Sequence, residues 1–253
     1  MPVLPASDGW APDLAARVPS EAVKELRDGG ITEGDFFRPT FACVLITLNK
    51  IPAAWVHAFT RMQSPVNSAS TLISYVKMEI GVARNLAVQE LLATPPTHRP
   101  RFILWLSDDD LMPWDGLVKL WQYMENHPEC QVITSIVHLK NQGHAPSPVL
   151  WRWDTDGRRP LLPGKDFKVG DIVEADVANL GFGLMRTELF EKIDPPWFKS
   201  GFATQVLPSG FEGITLTGED CYFFEKLREK DIPILVHTGV RSSHLDTNSN
   251  EIY

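Results

Sequence analysis

Three consecutive aspartates, Asp108-Asp109-Asp110, follow the apolar run Phe102-Ile-Leu-Trp-Leu106 and Ser107. A short apolar run of this kind reads as a buried strand, so the acids stand at a strand's carboxyl end. Alternate residues of extended backbone point the same way. That sets Asp108 and Asp110 toward one pocket and leaves Asp109 to support them. Two carboxylates held together repel unless a cation sits between them. Hard divalent ions such as Mg²⁺ and Mn²⁺ take carboxylate oxygens and keep positions for phosphate oxygens and water. A diphosphate leaving group needs such positive charge as its bond breaks. Capping is the competing reading, because acids before a helix satisfy its free N–H groups and its dipole. On the triplet alone the two readings are equally good.

Other chemistry-bearing residues lie on both sides. Gly181-Phe-Gly183 offers two glycines around an aromatic, suited to close backbone approach to a ligand or to a β-bulge. It lacks the third glycine of a dinucleotide fingerprint. Thr217-Gly-Glu219-Asp220 fits either a catalytic acid pair or a capping box. His244 follows the last apolar run, in a polar tail.

These residues need a scaffold, and the pattern supplies one. Phe41–Leu48, Thr71–Val76, Phe102–Leu106, Gln131–Val137 and Ile232–Thr238 read as strands. Helices are expected from Pro52 to Arg61, Gly81 to Leu92, Trp114 to His127 and Glu219 to Lys230. Strand–helix alternation through the first half implies an α/β domain with a mostly parallel sheet and right-handed crossovers. Ligands in such sheets collect at the strands' carboxyl ends, where Asn49 and Asp108 to Asp110 both fall. The second half is less regular. Residues 139–170 read as loops and short strands, Glu174–Met185 as a broken strand, and Gly201–Gly218 as a mobile, glycine-rich segment. Residues 1–40 read as a peripheral arm, with a short helix begun by Ser20. Residues 41–253 read as a single domain, divided near 138 into a ligand-binding half (41–138) and an irregular half (139–253).

The 253 residues, 43% of them apolar, suffice for one substantial core. A net charge of −8 gives no overall steering toward nucleic acid or anionic membrane. The three cysteines, Cys43, Cys130 and Cys221, contain no CxxC pair, which argues against a disulfide framework or a zinc site. No apolar stretch approaches membrane-spanning length. A reducing, cytoplasmic setting is the expectation, with a host cytoplasm counting equally.

Taken together, four motifs resemble a known family. Ser107-Asp108-Asp109-Asp110 before Leu-Met-Pro113 is similar to the Asp-x-Asp region of GT-A glycosyltransferases, family 2-like. Gly81-Val-Ala-Arg84-Asn85 resembles their "ARN" helix start. Gly218-Glu219-Asp220 with Phe223-Phe224 resembles their acceptor-side "GED" segment, and His244 stands where many of them place a further metal ligand. The resemblance implies a GT-A, Rossmann-like fold and a nucleotide-sugar donor, with a UDP-sugar first among candidates. It implies transfer of a hexosyl or N-acetylhexosaminyl group. Asp108 would meet the donor's ribose or the metal, with Asp109 beside it. Asp110 and His244 would bind Mn²⁺ or Mg²⁺. Arg84 would approach the donor's phosphates or base, Thr47 and Asn49 would border the base, and Gly181 and Gly183 would line the sugar. Asp220 would be the base that deprotonates the acceptor hydroxyl, with Glu219 supporting it, and a carboxylate base favours inversion.

The compact style also resembles phage enzymes that glycosylate hydroxymethylated pyrimidines in DNA. Trp151-Arg152-Trp153 with Arg158-Arg159 forms a basic, aromatic-interleaved stretch suited to bases and phosphates. Asp154, Asp156 and Asp166 dilute it, and a glycan or protein acceptor is the alternative. Two other classes share parts of the pattern: a haloacid-dehalogenase-type phosphatase, with its own Asp-x-Asp after an apolar strand, and a non-catalytic nucleotide-sugar-binding module. Leu111, where the phosphatases usually carry Thr or Val, argues against the first.

Overall fold

The computed structural model describes residues 40–47, 50–66, 68–141, 144–154, 157–206, 212–246, 249 and 251–252. Apart from Thr40 the expected N-terminal arm lies outside the described residues, as does Asn49. The first half runs β1 (Phe41–Thr47), α1 (Ala53–Arg61), β2 (Ser70–Val76), α2 (Ile80–Ala93), β3 (Phe102–Ser107), β4 (Asp110–Leu111), α3 (Gly116–Asn126) and β5 (Val132–Asn141). The second half adds β6 (His144–Pro148), β7 (Trp151–Asp154), β8 (Gly157–Pro160), β9 (Ile172–Ala175), β10 (Phe182–Arg186) and a 3₁₀ turn (Thr187–Glu191). It closes with β11 (Gly201–Val206), β12 (Glu212–Thr217), α4 (Glu219–Glu229), β13 (Ile234–Asp246) and β14 (Glu251–Ile252).

The main sheet has the order β14-β13-β5-β10-β3-β1-β2. β2, β1, β3, β5 and β13 point one way, and β10, between β3 and β5, runs against them. Alternation divides the strands between two cores. Ala42, Val44, Ile46, Ile103 and Trp105 join Ala83, Ala87, Leu91, Phe223 and Phe224, so α2 and α4 cover one face. Phe41, Cys43, Leu45, Phe102 and Leu104 join Trp55, Leu117, Leu120 and Met124, so α1 and α3 cover the other. Burial on both faces explains why β1 and β3 are uninterrupted apolar runs.

Three expectations change. The last strand does not stop at Thr238. It passes through an irregularity between His237 and Arg241 and continues to Asp246, so His244 is a strand residue rather than part of a polar tail. The segment Glu174–Met185 is two strands placed apart in the sheet, β9 against β13 and β10 between β3 and β5. The glycine-rich segment after Gly201 contains the β11–β12 hairpin. Among the described residues no helix is long and apolar enough to cross a membrane.

Candidate metal and nucleotide-sugar site

The parallel strands end on one edge, and the acidic triplet lies there. β3 closes at Ser107, whose N–H donates to Gly181 O at 2.9 Å and whose carbonyl accepts from Trp55 Nε1 at 2.7 Å. The chain then turns at Asp108 and Asp109 before the short strand β4. β4 pairs antiparallel with the far end of β13, which sets Asp110 directly opposite His244. Leu245 N–H donates to Asp109 O at 2.7 Å and closes the same junction.

This pairing brings together Asp109, Asp110 and His244, whose ligand atoms all lie within 4.8 Å of one another. His244 Nδ1 stands 3.4 Å from Asp110 Oδ1 and 3.9 Å from Asp109 Oδ2. Asp108 is not part of this cluster. Its expected shared face with Asp110 assumed extended backbone, and the turn at 108–109 breaks the two-residue alternation. Asp110 is 3% exposed. Its Oδ2 accepts from Asn179 Nδ2 at 2.6 Å, and the α-carbon of Gly181 packs beside it. A Cβ on Gly181 would stand 1.5 Å from that oxygen. Gly181 is thus glycine to admit Asp110. Gly183 lies inside β10, where its missing side chain makes room for Thr134.

Two acids and an imidazole could together hold a divalent metal ion. The three groups also perturb one another's protonation. Burial, then the adjacent Asp110 charge, pushes the Asp109 carboxyl up to about 6. The hydrogen bond to Asp110 raises His244 above its ordinary value, with Asp109 adding to the shift. Both groups are therefore held toward their protonated forms. Their contribution to stability is full at low pH and is lost as pH rises through about 6 and then through the raised His244 value. A metal needs both deprotonated. The stabilisation by Mn²⁺ should accordingly grow from about pH 5.5 to about pH 8. Thermal melts with and without Mn²⁺ check this, and a Mn²⁺ increment that shrinks with rising pH contradicts it.

Gly181→Ala gives a second expectation. The methyl group must displace Asp110, weakening Mn²⁺ binding by about tenfold or more and costing about 1–3 kcal/mol of stability. Calorimetry and melting measure the two; an unchanged Mn²⁺ affinity would remove Asp110 from the ligand set.

The N-termini of α2 and α4 meet beside this cluster. Arg84 on α2 is 4% exposed. Its Nη2 lies 3.4 Å from Glu219 Oε1, and its guanidinium stacks 5.2 Å from the Trp105 ring and 5.4 Å from Phe198. Nε and Nη1 find no hydrogen-bond acceptor among the described residues. Burial lowers the Arg84 pKa, opposed by the charges of Glu219, Asp220 and Asp110, so one guanidinium is felt by all three acids. Burial likewise raises Glu219, which is 8% exposed and packs against Gly81. Asp220 is half-buried, its Oδ1 accepting from Cys221 N–H at 2.7 Å. Gly218 is the N-cap of α4 and carries no side chain, so the capping-box reading of Thr217 and Asp220 does not hold. Asn85 serves structure: its Oδ1 accepts from Trp197 and Phe198 N–H while its Nδ2 donates to Gly81 and Phe198 carbonyls. Thr47, 3% exposed, ends β1 on the same edge, and its hydroxyl has no partner among the described residues.

The basic hairpin lies elsewhere. Arg152 Nε donates to Glu174 O, and Trp153 sits under Arg228 at the far end of α4. Glu174 pairs with Leu235, at the start of β13. Four strand steps from Ile133 to Val137 and two from Ser242 to His244, at about 3.3 Å each, put roughly 20 Å between that point and His244. Trp151 is half-buried against the core. Arg159 is paired with Asp166 at 2.8 Å, and the Arg158 side chain lies outside the description. The expectation that these five residues form an acceptor platform beside the Asp109–Asp110–His244 cluster gains no support from this placement.

No protein-family model matches the sequence, and no curated protein matches it. Solved structures do. The A197 protein from STIV aligns with TM-score 0.54 and 15% identity over 84% of this chain and 92% of that one. GalNAc-T7, solved with UDP, GalNAc and Mn²⁺, aligns with TM-score 0.51 and 11% identity over 81% of this chain. This chain spans 44% of the GalNAc-T7 chain. At such identities the likeness is one of fold. The molecule has a large, mostly parallel central sheet flanked by helices, as GT-A glycosyltransferases do.

Proposed function

We propose that the chain is a metal-dependent glycosyltransferase that moves a sugar from a nucleotide-sugar donor to an acceptor hydroxyl. One observation carries the reading. On the carboxyl edge of a GT-A-type sheet, the Asp109–Asp110–His244 cluster adjoins Arg84, and Arg84 is within electrostatic reach of Asp220 and Asp110. GalNAc-T7 having been solved with UDP, GalNAc and Mn²⁺ supports a UDP-sugar and Mn²⁺ as first candidates. Asp109, Asp110 and His244 would hold the ion, which when bound supplies positive charge to a departing diphosphate. Asp108, at the turn, is assigned to the donor's ribose, and Thr47 to the border of its base. Asp220 takes the proton from the attacking hydroxyl, which favours inversion by direct displacement. Glu219 is assigned to holding Arg84 rather than to the acceptor.

The test is a panel of nucleotide sugars with Mn²⁺, each offered with simple glycans, peptides and hydroxymethylated DNA, following release of nucleoside diphosphate and labelling of acceptor. At least one donor should give labelled acceptor. Asp220→Asn should lower that turnover by about 10²–10⁴-fold while leaving donor binding intact. Turnover unchanged in Asp220→Asn removes the base assignment; product with retained anomeric configuration removes inversion.

A further inference from the structure

The Asp110 carboxylate is fixed by more than its place on β4. Asn179, in the loop between β9 and β10, donates its amide Nδ2 to Oδ2 at 2.6 Å. The same oxygen rests against Gly181 so closely that no side chain fits there. The other oxygen, Oδ1, is the one turned to His244 Nδ1 at 3.4 Å. One oxygen is thus engaged by a neutral donor and walled by backbone, and the other belongs to the three-residue cluster.

We propose that Asn179 is a positioning residue that makes Asp110 a one-oxygen ligand, and so tunes the site toward small octahedral ions. The inference rests on the metal-dependent reading above and deepens it. Ca²⁺ takes six to eight oxygens and accepts both oxygens of a carboxylate, whereas Mg²⁺ demands near-octahedral geometry. A carboxylate with Oδ2 tied to an amide cannot swing to offer both. Partners of this kind orient metal ligands, and their loss commonly costs about 10–100-fold in affinity. Freed of Asn179, Asp110 should hold Mn²⁺ less well and Ca²⁺ relatively better.

The experiment is calorimetric titration of MnCl₂ and of CaCl₂ into metal-free protein: wild type, Asn179→Ala, Asn179→Ser and Asp110→Ala, with melting curves alongside. In the two Asn179 variants Mn²⁺ affinity should fall about 10–100-fold, Ca²⁺ affinity should fall by much less, and the preference for Mn²⁺ over Ca²⁺ should drop about tenfold or more. A merely structural role for Asn179 would lower both ions together. Equal losses for the two ions overturn the proposal, as does Mn²⁺ affinity unchanged in either folded variant. If wild type binds Mn²⁺, Asp110→Ala does not, and both Asn179 variants match wild type, the positioning role alone fails. If wild type binds neither ion, the metal-dependent reading fails with it.

Discussion

Asp110→Ala should abolish Mn²⁺ binding and lower sugar transfer by about 10³-fold or more. The magnitude follows from what a bound ion would contribute in the proposed reaction: several kcal/mol of charge stabilisation on a leaving diphosphate, at about 1.4 kcal/mol for each factor of ten. Asp110 is the member of the cluster with least freedom, 3% exposed and bracketed by His244, Asn179 and Gly181. Asp108 lies at the turn, outside the cluster, and Asp109 already stands 3.9 Å from the same His244 Nδ1 as a separate member of it. Asp108→Ala should retain Mn²⁺ binding, and the contrast between the two variants is the sharper measurement. Turnover in the donor panel and calorimetric Mn²⁺ binding check it. Equal loss of Mn²⁺ in both variants would restore Asp108 to the ligand set.

Arg84→Met should be the most destabilising substitution in the site. It strips a buried acid of its counter-ion: Glu219 stays 8% exposed with no cation at 3.4 Å. Breaking a buried ion pair from one side typically costs about 3–5 kcal/mol, which for a chain of this size lowers the melting temperature by roughly 10 °C. The guanidinium's contacts with Trp105 and Phe198 are partly replaced by the methionine side chain. Glu219→Gln placed on top of Arg84→Met should recover a large part of the loss, since no unpaired charge then remains. Melting curves of the single and double variants decide it; a single variant within a degree or two of wild type would mean that Glu219 is neutral or solvated in the folded chain. Both variants should also lose turnover, because Arg84 links the α2 and α4 N-termini beside Asp220.

Much of the scaffold was legible because its residues obey local rules. β1 and β3 are buried on both faces and so are written as unbroken apolar runs. Pro52 opens α1 as its N-cap, and α2 and α4 fall within a residue or so of the expected bounds. The carboxyl-edge location of the acids followed from parallel-sheet topology alone. What resisted reading depends on tertiary pairing. β13 continues past Gly239 through Arg241-Ser-Ser-His244, a polar sequence that resembles a tail and becomes a strand only because β5 and β4 receive it. The exchange of Asp108 for Asp109 in the cluster comes from a two-residue turn that no periodicity announces. Asn179 was invisible for a similar reason. It lies 69 residues from its partner Asp110 in a loop. The glycine two positions later was the available clue, read as approach to a ligand or as a β-bulge, and the structure sets it against the Asp110 carboxylate.

Arg84 illustrates a different limit. The motif containing it suggested contact with the donor, and the structure places the side chain in the interior against Glu219 and two aromatic rings. Two of its nitrogens have no partner among the described residues and leave room for the expected donor contact. Sequence singled out Arg84 without revealing that it pairs with Glu219 and so joins two helix ends. The hairpin of Trp151 to Arg159 shows the converse: its local basic and aromatic residues suggested nucleic acid, while topology set the segment roughly 20 Å from the Asp109–Asp110–His244 cluster along the sheet.

The central claim is that metal and nucleotide share one site. Its most direct test is the thermal stabilisation of wild-type protein by UDP, measured with Mn²⁺ and again with EDTA. A ligand that binds only the folded state raises its stability by mass action. UDP should raise the melting temperature with Mn²⁺ present and have little effect once the metal is removed. An equal shift in EDTA, or no shift under either condition, would contradict the account.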